Sequence, residues 1–316
     1  MLAHRIVETL MDLQDRSVEA HLSEIGTLVM GDSHAQGIHY ALTDDTLHIA
    51  SPGESVIQTY YRLRHILEQH PPRLTRIVLS VGVHSLLETK RIMWNVAYWA
   101  RVVDFAELAR ESPHPWPVIA RGVTGTLGFV GEGIAMWTAL RSSLRRWQKG
   151  ETPRTWEQQL ARWDGPASTP PLSERSEEEV EMLTHRTVRA HVAFGAGFDP
   201  GVAHYFERIL SLAREAGLQV LVVDMPVTHA YLARMRELTD VPATDRFIAQ
   251  AVARQGADYL DLRQAFDDPA LFTDPEHLSP EGRAVATQLV RRRLGLAAGE
   301  ERPGRDAPGP SRTPSR

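Results

Sequence analysis

The stretch Thr27-Leu28-Val29-Met30-Gly31-Asp32-Ser33-His34-Ala35 decides the fold. Its first half is apolar without alternation, as in a parallel strand buried on both faces, and it stops at Gly-Asp-Ser, which signals a loop. A helix is expected next, over Ala35 to Leu42. The same grammar recurs on either side. TLHIA (Thr46 to Ala50) reads as a second strand, followed by the turn Ser51-Pro52-Gly53 and an amphipathic helix through about Gln69 that Pro71-Pro72 terminates. RIVLSVG (Arg76 to Gly82), LQVLVVDMPV (Leu218 to Val227) and DYLDL (Asp258 to Leu262) supply three more strands. Helices are expected at about Pro200 to Ala216, Tyr231 to Gln255 and Pro280 to Leu294. Apolar strands alternating with amphipathic helices predict a three-layer α/β/α fold on a five-stranded parallel sheet, with ligand sites beyond the carboxyl ends of the strands.

Between the third and fourth strands the rhythm breaks, and residues 88–198 read as an insertion into a single domain spanning 1–298. All seven tryptophans (Trp94, Trp99, Trp116, Trp137, Trp147, Trp156 and Trp163) fall in it, together with the basic group Arg141, Arg145, Arg146 and Lys149. Long connections of this kind are usually lids or subdomains. Aromatic residues at helical spacing, such as Trp94, Tyr98 and Trp99, read first as a core; the functional alternative is an acceptor groove for carbohydrate. The basic group reads as a solvated helix face, or as contact with an anionic membrane surface beside Trp147. The tail, residues 299–316, is rich in Pro, Gly, Ser and Arg and is expected to be disordered.

Composition removes several function classes. With 40 acidic against 35 basic side chains the formal charge is −5, so the attraction to phosphate that drives nucleic-acid binding is missing. The absence of cysteine excludes disulfide scaffolds, thiolate zinc sites and a Cys nucleophile. No run reaches the roughly 18 apolar residues of a spanning helix. The first residues, MLAHRIVETLMDLQDRSVEAHL, lack the apolar region and cleavage site of a secretory signal, so the chain as written is expected in the cytoplasm, or in the envelope if its natural start lies further upstream.

Chemistry concentrates at the ends of strands. Ser33, between a strand and a helix, presents a hydroxyl at the sheet edge with helix N–H groups aimed at any oxyanion formed there. The partner it needs stands in TDPEHLSPEG, where Asp274 and His277 lie three residues apart before a helix. That spacing brings a carboxylate to the Nδ1 side of the imidazole and leaves Nε2 free to take the serine proton. Gly53 and Gly82-Val83-His84 end the next strands, and a glycine lets a backbone N–H approach a substrate closely. Asp32 reads as a loop-holding residue. Neither a cofactor nor a metal is needed.

Together GDSH, SPGES, GVH and DPEHLSPEG resemble the four blocks of the SGNH (GDSL-like) hydrolase superfamily, over roughly residues 25–85 and 218–295. The last block is similar to those of SGNH domains that handle acyl groups on bacterial surface polysaccharides, and MPVTHAY resembles the DltD and alginate-acetylation relatives. The resemblance implies a flavodoxin-like sheet, Ser33 as nucleophile, His277 as base, Asp274 as its orienter, and the Ser33 and Gly53 backbone N–H groups in the oxyanion hole. The implied activity is that of a serine esterase or O-acyltransferase acting on an acyl ester, acetyl foremost, of a carbohydrate. The third block departs from the pattern: His84 stands where Asn is usual, and a neutral imidazole replaces that donor only in the right tautomer.

Two other classes stay open. A non-catalytic scaffold binding glycans or proteins is compatible with His84. Asp32-Ser33-His34 after a strand also fits the first block of metal-dependent phosphoesterases, although no further ligand block of that class appears, and the nearest candidates, Asp224 and His229, stand at a spacing that matches none.

Overall fold

A computed structural model describes residues 15, 18–38, 42–88, 102–111, 118–119 and 170–296. The tryptophans, the basic group from Arg141 to Lys149 and the tail from Gly299 lie outside the described residues. The strands are β1 (Thr27–Met30), β2 (Thr46–His48), β3 (Arg76–Ser80), β4 (Gln219–Asp224) and β5 (Asp258–Asp261). They pair in parallel in the order β2-β1-β3-β4-β5, the flavodoxin-like doubly wound arrangement. The helices are α1 (Val56–Glu68), α2 (Phe105–Glu111), α3 (Glu177–His191), α4 (Pro200–Glu215), α5 (His229–Leu238), α6 (Val241–Gln255) and α7 (Pro280–Arg293).

Strand side chains alternate between two faces, and both faces are covered. Leu28, Met30, Ile77, Leu79 and Val222 pack with Leu63 of α1, Phe206 and Ile209 of α4 and Ile248 of α6. Val29, Val78, Leu221 and Val223 pack with Ala286 and Val290 of α7 and with Phe272 and Leu278. At roughly 1.5–3 kcal/mol for each large aliphatic side chain buried, these two cores explain why the strands carry no polar alternation. A third apolar cluster joins Val188 of α3, Val227, and Tyr231, Leu232 and Met235 of α5 to Val83 and Leu87 just after β3. This fastens the end of the long β3–β4 connection beside the carboxyl edge of the sheet.

Two expected helices differ. Of the helix expected over Ala35 to Leu42, residues 39–41 lie outside the described residues, and its first part is a 3-10 turn, Ser33–Gly37, after which Ile38 returns to extended backbone. Gly37 favours helix poorly and sits where a side chain would meet Met225, its Cβ position lying 2.6 Å from the Met225 Cε atom. The expected helix from Tyr231 to Gln255 is two helices, α5 and α6. A continuous helix would carry Pro242 in its interior, losing a hydrogen bond and clashing with the preceding turn. The chain instead extends at Thr239, and the Asp240 carboxylate accepts the Ala243 N–H at 2.9 Å to start α6 with Pro242 in the first turn. Among the described residues no helix is long and apolar enough to cross a membrane.

Candidate active site

The loops that leave β1 and β3 and the loop that enters α7 meet at the switch point of the sheet. Gly31 follows β1 at φ 131°, and a Cβ there would stand 2.8 Å from the Ser80 carbonyl, so only glycine lets the two strand ends approach. Asp32 then caps the turn, its Oδ1 accepting the His34 N–H at 3.1 Å. Ser33 comes next, with its hydroxyl at the site.

On the other side, Asp274 Oδ1 accepts the backbone N–H groups of Glu276 and His277, both at 3.0 Å, and the loop closes on its own carboxylate. Thr228 N–H donates to the Pro275 carbonyl at 2.9 Å, and Ser279 caps α7 two residues beyond His277. Held this way, the His277 ring presents Nδ1 to Asp274, at 2.8 Å from Oδ2 and 3.0 Å from Oδ1, and Nε2 to the Ser33 hydroxyl at 2.9 Å. Residues 244 positions apart thus share one chain of hydrogen bonds.

Three further imidazoles surround this chain. His34 stacks on His84 with ring centroids 4.1 Å apart, and His84 on His191 at 4.9 Å. Glu276 Oε2 lies 3.0 Å from His34 Nε2 and 3.1 Å from His191 Nε2. The Tyr231 hydroxyl stands 2.7 Å from His191 Nδ1. Burial, reinforced by the carboxylates of Glu276 and Asp32, holds the Tyr231 hydroxyl well above its ordinary pKa, so it stays a neutral phenol beside His191.

Charge in the cluster favours cations. Burial works against protonation of His277, but the hydrogen bond to Asp274 and the negative charges of Asp274, Glu276 and Asp32 outweigh it and push the imidazole up to about 9. For Asp274 and Glu276, burial raises the pKa, and the imidazoles around them overcome it: His277 lowers Asp274, while His34 and His191 hold Glu276 well below the usual carboxylate range.

The other expected residues fall into two groups. Gly53 turns the loop after β2 at φ 70°, exposed, and among the described residues neither its N–H nor that of Ser33 donates a hydrogen bond. A buried ion pair stiffens this loop: Arg62 reaches Glu54 at 2.9 Å and the Ile49 carbonyl at 2.6 Å. Burial pushes the Glu54 carboxyl up to about 7 even with Arg62 beside it. His84, by contrast, has Nε2 2.8 Å from Asp32 Oδ2. In the tautomer that donates from Nε2 to Asp32, a neutral His84 has only an acceptor at Nδ1 and offers an oxyanion no hydrogen. The α-helix expected to aim its N-terminus at the site is the short 3-10 turn, which leaves single N–H groups as the donors.

Asp224 ends β4 beside Gly82 at the border of the cluster, and His229 stands on the surface. Asp224 is buried against Arg263 at 3.1 Å, and His229 pairs with exposed Asp267 at 2.7 Å. Glu276, His191 and Tyr231 are site residues that the sequence did not single out. No protein-family model matches the chain, and no curated protein matches it either.

Proposed function

We propose that the protein is a serine esterase or O-acyltransferase of SGNH type, using Ser33 as nucleophile, His277 as base and Asp274 to orient the base. The observation that carries this reading is the His277 ring itself, with Nδ1 against Asp274 at 2.8 Å and Nε2 against the Ser33 hydroxyl at 2.9 Å. Such a ring is oriented to accept the proton as Ser33 Oγ bonds to an ester carbonyl carbon. The oxyanion takes hydrogen bonds from the Ser33 and Gly53 N–H groups. Collapse of the tetrahedral intermediate breaks the ester C–O bond, and the His277 proton passes to the departing alkoxide oxygen. The acyl-enzyme is then resolved by water or by an acceptor hydroxyl, with His277 taking and returning a proton as before.

The substrate class, an acyl ester of a carbohydrate, follows from the resemblance of the four sequence blocks and from the tryptophan-rich insertion. Hydrolase and transferase outcomes differ in whether water or a sugar hydroxyl reaches the acyl carbon. Turnover of a nitrophenyl acetate by the full chain tests the proposal. We expect wild-type hydrolysis above background and none from Ser33→Ala; equal rates in the two proteins contradict it.

A further inference from the structure

We propose that His34, Glu276 and His277 form a binding site for a divalent transition-metal ion of the zinc class, and that an ion held there switches the Ser33 chemistry off. One ligand atom from each of these residues lies within 4.8 Å of the other two. Ligands bound at about 2.0–2.2 Å around a tetrahedral ion stand about 3.3–3.5 Å apart, so a small inward movement of the side chains closes the site. His34 Nε2 and Glu276 Oε2, at 3.0 Å, are at hydrogen-bond distance and part by only about 0.3–0.5 Å to admit the ion. On binding, the ion displaces to solvent the proton that His34 Nε2 shares with Glu276 and the proton on His277 Nε2.

His277 has the hydrogen-bonded outer partner that metal ligands usually have, and His34 and Glu276 are fixed by the imidazoles around them. His277 gives Nδ1 to Asp274 at 2.8 Å, which fixes the ring with Nε2 as the nitrogen that faces the ion. Glu276 Oε2, the oxygen that faces His34, also has His191 Nε2 at 3.1 Å beside it, and His191 is held by Tyr231. His34 is buried and stacked on His84, which is anchored to Asp32 at 2.8 Å. Two imidazoles and one carboxylate form a borderline donor set that suits zinc, nickel or ferrous iron and offers little to magnesium or calcium, which favour all-oxygen sites. Asp32 and Asp274 add negative charge around an incoming cation.

The switch rests on the serine reading proposed above; the ion site does not. His277 Nε2 lies 2.9 Å from the Ser33 hydroxyl, and its one lone pair accepts the serine proton or binds a metal. An occupied site therefore has no base for Ser33.

Calorimetric titration of untagged, chelator-treated full-length protein with zinc chloride is the test, with magnesium chloride in parallel. We expect one zinc bound per chain at micromolar or lower Kd, no magnesium binding, wild-type zinc affinity in Ser33→Ala, and at least about a 100-fold loss in each of His34→Asn and Glu276→Gln while both keep the wild-type circular dichroism spectrum. Absence of one-equivalent binding, or unchanged affinity in both folded variants, overturns the site. In the same samples, one equivalent of zinc should slow fluorophosphonate labelling at least tenfold and excess chelator should restore it. Labelling that is unaffected at saturating zinc overturns the switch. If the metal-free protein binds zinc and takes no label, the serine reading fails and the switch falls with it, while the ion site stands.

Discussion

Two charged clusters tie this molecule together across long stretches of sequence, and they are built on different cations. Away from the sheet edge, Arg208 of α4 meets Glu111 at 2.9 Å and the Tyr60 hydroxyl at 2.6 Å, and pairs with Glu107, which also receives Arg64 at 2.7 Å. Its guanidinium lies 4.3 Å above the Tyr60 ring. At the carboxyl edge, His34, His84, His191 and His277 meet Asp32, Glu276 and Asp274 at 2.8 to 3.1 Å. A guanidinium never releases its proton in a protein, so the first cluster is a fixed clamp between α1, α2 and α4. Imidazoles gain and lose protons and bind metals, so the second cluster can change state. The permanent joint is built on arginine, and the proposed site is built on histidine.

Substitutions in the two clusters should therefore separate activity from stability. The largest effect expected is Ser33→Ala, which should lower kcat/KM for an ester by at least about 10⁴-fold while shifting Tm by no more than about 2 °C. A large loss of Tm with it would make the imidazole cluster a structural joint like the arginine one. Asp274→Asn should follow, at roughly 10³- to 10⁴-fold in kcat, because the ring loses the partner that sets its tautomer; a change under tenfold would remove Asp274 from its orienting role.

The pH dependence comes next. With His277 at about 9, only roughly one ring in a hundred is neutral at pH 7, so metal-free turnover should rise about tenfold per pH unit and level off near pH 9. A plateau already reached at pH 7 would show that His277 titrates elsewhere. Stability moves the other way. A raised imidazole pKa stabilises the fold fully below the unfolded value near 6.5, and that contribution is lost as pH rises through about 9. Thermal melts from pH 6 to 10 should show the loss in wild type and a smaller one in Asp274→Asn.

Arg208→Ala should cost about 1–3 kcal/mol of stability in a denaturant titration, since two carboxylates and a tyrosine lose their shared partner, with kcat within twofold of wild type. A fall in kcat beyond tenfold would mean that the clamp reaches the site. The smallest effect, about 1 kcal/mol, is expected for Ser176→Ala, which removes the cap of α3, whose His191 reaches Glu276.

The fold was legible wherever local chemistry agreed with tertiary packing. The three central strands are apolar runs stopped by Gly or Asp, the two edge strands, TLH and DYLD, are shorter and more polar, and all five appear where the sequence pattern puts them. The reading failed at Gly37 and Pro242, where a periodic apolar pattern continued across a residue that interrupts the backbone. In the site, Ser33, Asp274 and His277 were legible because a strand-end serine and an Asp-x-x-His spacing carry their geometry locally. Glu276 stood between Asp274 and His277, but spacing alone does not say which carboxylate turns to which ring. His191 was out of reach for a different reason. The helix reading EMLTHRTVRAH offers both His185 and His191; packing of Val188 and Leu183 leaves His185 exposed and carries His191 to Glu276.

The most direct measurement is to treat chelator-washed wild-type protein with a fluorophosphonate and map the adduct by peptide mass spectrometry. The account predicts one adduct per chain on Ser33, absent from Ser33→Ala. A folded wild-type protein that takes no adduct, or one labelled equally after Ser33→Ala, would contradict it.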